Sequence, residues 1–288
     1  MAFSGTVRVL INGTWTTLTY NSSTGAYEGT ITAPGQTSFN LTGGAYEVTA
    51  EATNTAGTKS TKTASLIVKE TVKPVIAISS PSSGAYVSNN QQPIVFTVTD
   101  ESGGSGVDIN SLVVKIDGTA VTSGITKTAI TNGYSVTVTP AALKDGSHTV
   151  TIDCSDNDGN AAAQKSTTFT VDTVPPTLNV TSPADGLITN NPSLVVAGTT
   201  NDSTSSPVTL TVNGQAVTVG SNGSFSTTLT LSEGDNTITI KVADKAGKTT
   251  TVVRTVTLDT SAPNIVSITI EPNPATTGAT MTVKVVVE

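Results

Sequence analysis

The chain has 288 residues, of which 36% are hydrophobic, 4% aromatic and 12% charged. That length suits two or three ordinary domains, and cores so short of rings must be thin and aliphatic, which fits small sandwiches better than one large enzyme domain. A formal net charge of −7 and a pI near 4.7, without any Lys/Arg cluster, argue against nucleic acid and against an anionic bilayer. No apolar run approaches the roughly 20 residues of a spanning helix, so no membrane insertion is expected.

From the N-terminus, Met1 to Arg8 has neither the basic start nor the apolar stretch of a secretory leader. It suggests a chain made and assembled in a cytoplasm, or a fragment. Val9-Leu10-Ile11-Asn12-Gly13 then reads as a strand entering a two-residue turn, because Asn-Gly supplies positive φ. Trp15, Tyr20, Tyr27, Phe39 and Tyr46 gather the rings into the first 50 residues. Such rings can form a sugar- or protein-binding surface, but packing in a core or between chains is the favoured reading. Val48, Ala50 and Ala52 alternate with polar residues before a turn at Gly57, and a returning strand leads to Lys69-Glu70-Thr71-Val72-Lys73-Pro74.

That junction recurs at Val171–Pro176 and Leu258–Pro263, so Pro74, Pro176 and Pro263 are spaced by 102 and 87 residues. Unequal spacing indicates separate domains with variable loops rather than a tight solenoid. Between junctions the same events follow in order. Ala77–Pro81 is echoed by Asn179–Pro183, Val87–Asn90 by Ile188–Asn191, and Lys115-Ile116-Asp117-Gly118 by Thr211-Val212-Asn213-Gly214. Val150, Ile152 and Cys154 alternate with polar residues before Gly159, as Ile238, Ile240 and Val242 do before Gly247. Period-two alternation places one face inside and one in water. Sustained helical periodicity is absent, and Ala141 to Lys144 is the one stretch that suits a helical turn. The fold class expected is all-β, a tandem of antiparallel sandwiches.

The junctions, the Ala-Asp-Lys-Ala-Gly-Lys turn at Ala243–Lys248 and Ser-Pro-x-x-Gly at Ser80–Gly84 and Ser182–Gly186 resemble tandem bacterial immunoglobulin-like domains. The resemblance covers essentially the whole chain. Such modules occur in bacterial surface proteins and in phage tail and virion proteins, and the resemblance implies a stalk, spacer, adhesive or decoration role. It supplies no catalytic residues. The expected domains are 1–71, lacking its first strands; 72–173; 174–260; and 261–288, a two-strand segment.

Candidate sites are few. Asp153, Asp156, Asn157 and Asp158 crowd one turn, and Asp100, Glu101 and Asp108 lie in an earlier Gly/Ser-rich loop. Sandwich turns can converge, and Asp153, Asp156 and Asp158 are the candidate Ca²⁺ ligands. The favoured alternative is a solvated turn, since the third repeat keeps Asp244 but adds Lys245 and Lys248. No cofactor is therefore expected. His148 is the single histidine and stands where Asn236 and Tyr46 stand in the other copies, which suggests exposure. Cys154 replaces Val242 and Ala52, which suggests a core residue. A triad or zinc site would need further His or Cys, so no enzyme is expected.

The ends of the sequence are complementary. Residues 265–270 and 281–287 read as the first two strands of a repeat, and residues 1–71 begin where those strands would end. A lone hairpin is marginal in water, and a sandwich missing strands exposes its edges. Strand complementation between chains would satisfy both, with Phe3, Val7 and Val9 on one side of the interface and Ile265, Ile268, Ile270, Val283, Val285 and Val287 on the other. The function expected is that of a non-enzymatic virion component, of a phage tail or fibre, whose partners are copies of itself or a neighbouring virion protein. The alternatives are a stalk or adhesin segment of a secreted, cell-surface protein, and a carbohydrate-binding module for a host-surface glycan.

Overall fold

The computed structural model describes residues 3–288. They fall into two compact units, the first ending at Thr173 and the second spanning Val174–Glu288. Apart from one 3-10 turn at Ser38–Asn40, all regular structure among the described residues is β.

In the first unit, residues up to Leu66 form β1 (Gly5–Ile11), β2 (Thr14–Thr17), β3 (Thr19–Asn21), β4 (Ala26–Glu28), β5 (Tyr46–Asn54) and β6 (Lys59–Leu66). One sheet has the order β2-β1-β5-β6, and β3 pairs only with β4. Asn12 and Gly13 have φ of 45° and 76°, the left-handed pair that a two-residue hairpin needs. Val9 pairs with Ala50 and Arg8 with Glu51, so apolar and charged residues fall on opposite faces. Val9 and Tyr46 are the buried large apolar residues here. Residues 59–65 of β6 are exposed on both faces, because the β3–β4 hairpin does not cover them.

The rest of that unit is a complete sandwich. Its strands are β7 (Val75–Ser80), β8 (Ala85–Val87), β9 (Ile94–Thr99), β10 (Val107–Ile116), β11 (Thr119–Ala120), β12 (Ile125–Ile130), β13 (Gly133–Val138), β14 (Gly146–Asp156) and β15 (Lys165–Val171). They form sheets ordered β11-β10-β14-β15-β8 and β12-β13-β9-β7. Phe96, Val98, Val136 and Val138 face Val150, Ile152, Phe169 and Val171 across a core that water hardly reaches. Each buried aliphatic side chain there contributes about 1.5–3 kcal/mol before the entropy cost of ordering it. Asp117 and Gly118 repeat the left-handed turn, with φ of 50° and 80°. Ala141–Lys144 is not helical: the Leu143 N–H donates instead to the Asn90 carbonyl at 2.9 Å.

The second unit contains β16 (Thr177–Ser182), β17 (Leu187–Thr189), β18 (Ser193–Asn201), β19 (Thr209–Val212), β20 (Gln215–Val217), β21 (Ser224–Thr230), β22 (Gly234–Ala243) and β23 (Thr249–Leu258). Sheets β16-β18-β21 and β17-β23-β22-β19-β20 enclose Val196, Phe225, Ile240, Val242 and Val256. Beyond them β24 (Ile265–Glu271) and β25 (Thr282–Val287) form a separate two-stranded sheet, every residue of which is exposed.

Candidate functional site

The loops at one end of the 72–173 sandwich meet the strand that leaves residues 1–71. Asp100 immediately follows β9, Asp156 ends β14 and Glu70 lies in the connecting segment. Their carboxylates come together with one oxygen from each residue within 4.8 Å of the others. Asp100 and Asp156 are buried, at 7% and 2% exposure, and Glu70 is half-buried. Burial of Asp156 follows from strand parity, since it is in phase with Val150, Ile152 and Cys154. Its two oxygens accept from the Asn160 backbone at 2.8 Å and the Asn160 Nδ2 at 2.7 Å. Asp100 Oδ2 accepts from the Gly106 N–H at 2.8 Å. Asp100 Oδ1 and Glu70 Oε2 are buried and, apart from the neighbouring Glu101 carboxyl, meet no donor among the described residues.

The surrounding contacts bind the two domains of this unit to each other. The Ser105 N–H donates to Glu70 Oε1, and the Glu70 N–H donates to Asp158 Oδ2 at 3.0 Å. Thr37 Oγ1 donates to the same Asp158 oxygen at 2.5 Å. Asn40 Nδ2 donates to the Gly104 carbonyl at 2.7 Å and Lys69 Nζ to the Asp158 carbonyl at 2.9 Å. Burial works to raise the Glu70 carboxyl, but hydrogen bonds from Glu101 and Ser105 outweigh it and hold Glu70 below the usual range. Glu101 is pushed up to about 7, first because Glu70 would hold a proton placed on it, then by burial and by Asp100. The opposite shifts share one cause, a hydrogen bond between the two carboxyls in which Glu101 is the donor. The ion pairs among the described residues, Arg8–Glu51, Lys59–Glu51 and His148–Asp117, lie outside the cluster.

The structure thus brings Asp156 together with Asp100 and Glu70. Asp158 instead bridges the joint through Thr37 and the Glu70 N–H. Asp153, out of phase with Ile152 and Cys154, accepts two hydrogen bonds from Gln164 Nε2 at 2.9 and 3.0 Å. Asp108 accepts from the Asn110 N–H at 3.0 Å. The sequence reading overlooked Glu70, whose junction position was visible but whose proximity to the loops was not. In the second unit Asp202 and Asp244 hold the places of Asp100 and Asp156. Both are buried, with carboxylate oxygens within 4.8 Å of each other. Lys248 donates its backbone N–H to Asp244 at 2.8 Å, as Asn160 does to Asp156.

The other singled-out residues occupy distinct settings. Cys154 is in the core, and burial raises its thiol pKa. His148 is buried rather than exposed, at 8%. It too is in phase with Val150, and it lies 2.7 Å from Asp117 Oδ2 through Nδ1 and 2.8 Å from the Lys144 carbonyl through Nε2. Of the five early rings only Tyr46 is buried. Trp15 stands 39% exposed with the Arg8 guanidinium 4.1 Å from its ring centroid. Tyr20 and Tyr27 pack at 5.3 Å, and the exposed Phe3 ring meets Tyr27 edge-on at 6.5 Å. Val9 is buried and Val7 half-buried, whereas Ile265, Ile268, Ile270, Val283, Val285 and Val287 are all exposed.

Residues 76–173 match the family described as bacterial Ig-like domain, and residues 176–260 match the family described as glucodextranase, domain B. The chain is 35% identical over 109 residues to bacillopeptidase F of Bacillus subtilis (strain 168), which covers 38% of this chain and 7% of that protein. It therefore spans a small fraction of that relative's length. Similar solved structures include fibronectin(III)-like modules of Clostridium thermocellum CbhA (19% identity, TM-score 0.40, 64% of this chain and 94% of that one). They also include an I-band fragment of titin (14% identity, TM-score 0.42, 88% and 87%). A tetra-tandem repeat from the extending region of a large adhesion protein is 20% identical, with a TM-score of 0.34 and coverage of 100% and 81%. With two sandwiches of matching strand order and family matches over 76–173 and 176–260, the chain is a tandem immunoglobulin-like protein.

Proposed function

We propose that this protein is a non-enzymatic connector, an array of Ig-like modules that is extended by strand complementation with further segments of the same kind. One observation carries the reading. In the 72–173 sandwich the second sheet is β12-β13-β9-β7, whereas residues 1–71 supply only β3-β4, the counterparts of β12 and β13. The pair that these residues do not themselves supply corresponds to β7 and β9, and β24–β25 is an antiparallel hairpin of that kind. In the complete sandwich Ile76, Ile94, Phe96 and Val98 of this pair are buried, while Ile268, Ile270, Val283 and Val285 of the hairpin are exposed. Exposed apolar strands with free edges seek a partner sheet.

The bacterial Ig-like family match supports a stalk or spacer segment of a bacterial surface protein as the setting. A virion component of a tail or fibre is the alternative, and the same strand-pairing chemistry serves it. Antibody labelling separates the two: label on the cell envelope supports the first and label on phage particles supports the second. A protein strand is favoured over a glycan as the partner, because Arg8 already occupies one face of the exposed Trp15 ring. Light scattering of the full chain against a chain ending at residue 260 tests the proposal. Concentration-dependent association that is lost on truncation is expected, and a full-length monomer with a protected β3–β4 edge contradicts it.

A further inference from the structure

We propose that β25 of a second copy docks beside β4 in one fixed register, with Val287 opposite Tyr27 and the Phe3 ring as its anchor. The inference rests on the strand-complementation reading and names the partner and the seat it takes. In the complete sandwich β9 lies between β13 and β7. Among the described residues β4 and β25 each keep one side unpaired, so the order β3-β4-β25-β24 across two copies repeats β12-β13-β9-β7. Independent markers on the two strands fix how they align. Tyr27 is the second residue of β4 and pairs with Tyr20 across its hairpin, as Tyr134, the second residue of β13, pairs with Ala129. Tyr134 lies opposite the buried Val98. On the donor, Ile76 stands two residues after Pro74 and pairs with Val98, while Ile265 stands two residues after Pro263 and pairs with Val287. Val287 therefore takes the place of Val98 and faces Tyr27.

Side-chain alternation agrees with that register. Val283, Val285 and Val287 share one face of β25, opposite Ile270, Ile268 and Ile265 of β24, just as Ile94, Phe96 and Val98 share the buried face of β9. Thr282 and Lys284 fall on the other face, so a slip of one residue would turn the valines to solvent and the lysine inward. The acceptor also carries a feature that the complete sandwich lacks. Gly5 lies opposite Asn54 as Val107 lies opposite Asp156, so Gly5 stands where that sandwich has a buried valine. A Cβ on Gly5 would lie 2.5 Å from the Phe3 ring, and the ring thus fills the space that the Val107 side chain takes. The Phe3 carbonyl accepts from the Tyr27 hydroxyl at 2.6 Å, which holds the ring against the β3–β4 hairpin. Phe3 nevertheless remains 41% exposed. A valine arriving opposite Tyr27 would cover it, and a ring against a β-branched side chain is a favourable pairing across strands.

The test uses the full chain with one cysteine pair on outward faces. In this register Glu28 falls opposite Val286, as Ser135 falls opposite Thr97. Opposed Cα atoms lie about 4.5–5.5 Å apart, within the span of a disulfide. With oxidised glutathione as the oxidant, the E28C/V286C chain is expected to form covalent oligomers at least tenfold faster than E28C/K284C, which reports a slip of two residues. Phe3→Ala is expected to weaken association at least tenfold by light scattering. The cysteine pair leaves the core untouched and so decides the register where F3A fails to fold. If wild type associates but E28C/K284C links as fast as E28C/V286C, or F3A associates as tightly as wild type, the docking proposed here is overturned while strand complementation stands. A wild-type chain that stays monomeric at every concentration overturns both.

Discussion

Asp100, just after β9, and Asp156, at the end of β14, are separated by 56 residues and yet hold carboxylate oxygens within 4.8 Å of each other in a buried position. Like charges so placed repel unless something positive lies between them. The Gly106 N–H and the two Asn160 nitrogens that donate to these carboxylates supply part of that positive character.

Asp100→Asn removes one of these buried like charges while an amide oxygen can still accept from the Gly106 N–H, and it should stabilise the 72–173 domain by about 1–3 kcal/mol. A rise in the thermal unfolding temperature of the variant over wild type checks it.

His148 and Asp117 predict a pH window for the same domain. Burial alone would lower the His148 pKa, but hydrogen bonds to the Lys144 carbonyl and to Asp117 outweigh it and raise it above 6.5. Both partners accept hydrogen bonds, so the imidazolium with two N–H groups is the satisfied form. Burial alone would raise Asp117, but the Thr149 N–H and His148 hold it below 3.8. Stabilisation from His148 is fully present below about 6.5 and is lost as pH rises through the raised value. That from Asp117 is present above about 3.8 and is lost as pH falls through the lowered one. The unfolding temperature of the domain should therefore fall between pH 6 and 8, and the His148→Gln variant should show a smaller fall.

Gly133 sits in extended backbone opposite Thr99, and a Cβ there would lie 2.0 Å from the Val98 carbonyl oxygen. Gly133→Ala should force β13 away from β9 and cost more than about 2 kcal/mol. Phe96→Ala should cost about 3–5 kcal/mol through the cavity it leaves. Val285→Thr, on the exposed hairpin, should leave that unfolding transition unchanged while weakening association. Denaturant titration, read alongside light scattering, separates the three.

Cys154 is buried and its thiol pKa is raised by that burial, so it should not react with a thiol reagent until the domain opens. The labelling rate should follow the opening equilibrium and increase in step with denaturant. Fast labelling of native protein would contradict the packing described here.

Much of this was legible in the residues. Asn12-Gly13, Asp117-Gly118 and Asn213-Gly214 marked hairpins whose left-handed φ values the structure displays, because a two-residue turn admits few residue types. Alternation at Val150, Ile152 and Cys154 gave the inward face of β14. Extending the same parity to His148 and Asp156 would have placed both inside, and Asp153 outside, but polarity argued the other way and prevailed. Glu70 was beyond reach, since its approach to Asp100 depends on how one domain is set on the next, a long-range relation that local pattern does not encode. The exposed positions of Trp15 and Phe39 were equally hidden, because ring composition says nothing about which sheet face is covered.

The most direct measurement of the central claim is amide hydrogen exchange of the full chain over a range of protein concentrations. Strand complementation predicts that β4 (Ala26–Glu28) and β25 (Thr282–Val287) gain protection together as concentration rises. Rapid exchange in both segments at every concentration, or protection that does not vary with it, would contradict the account.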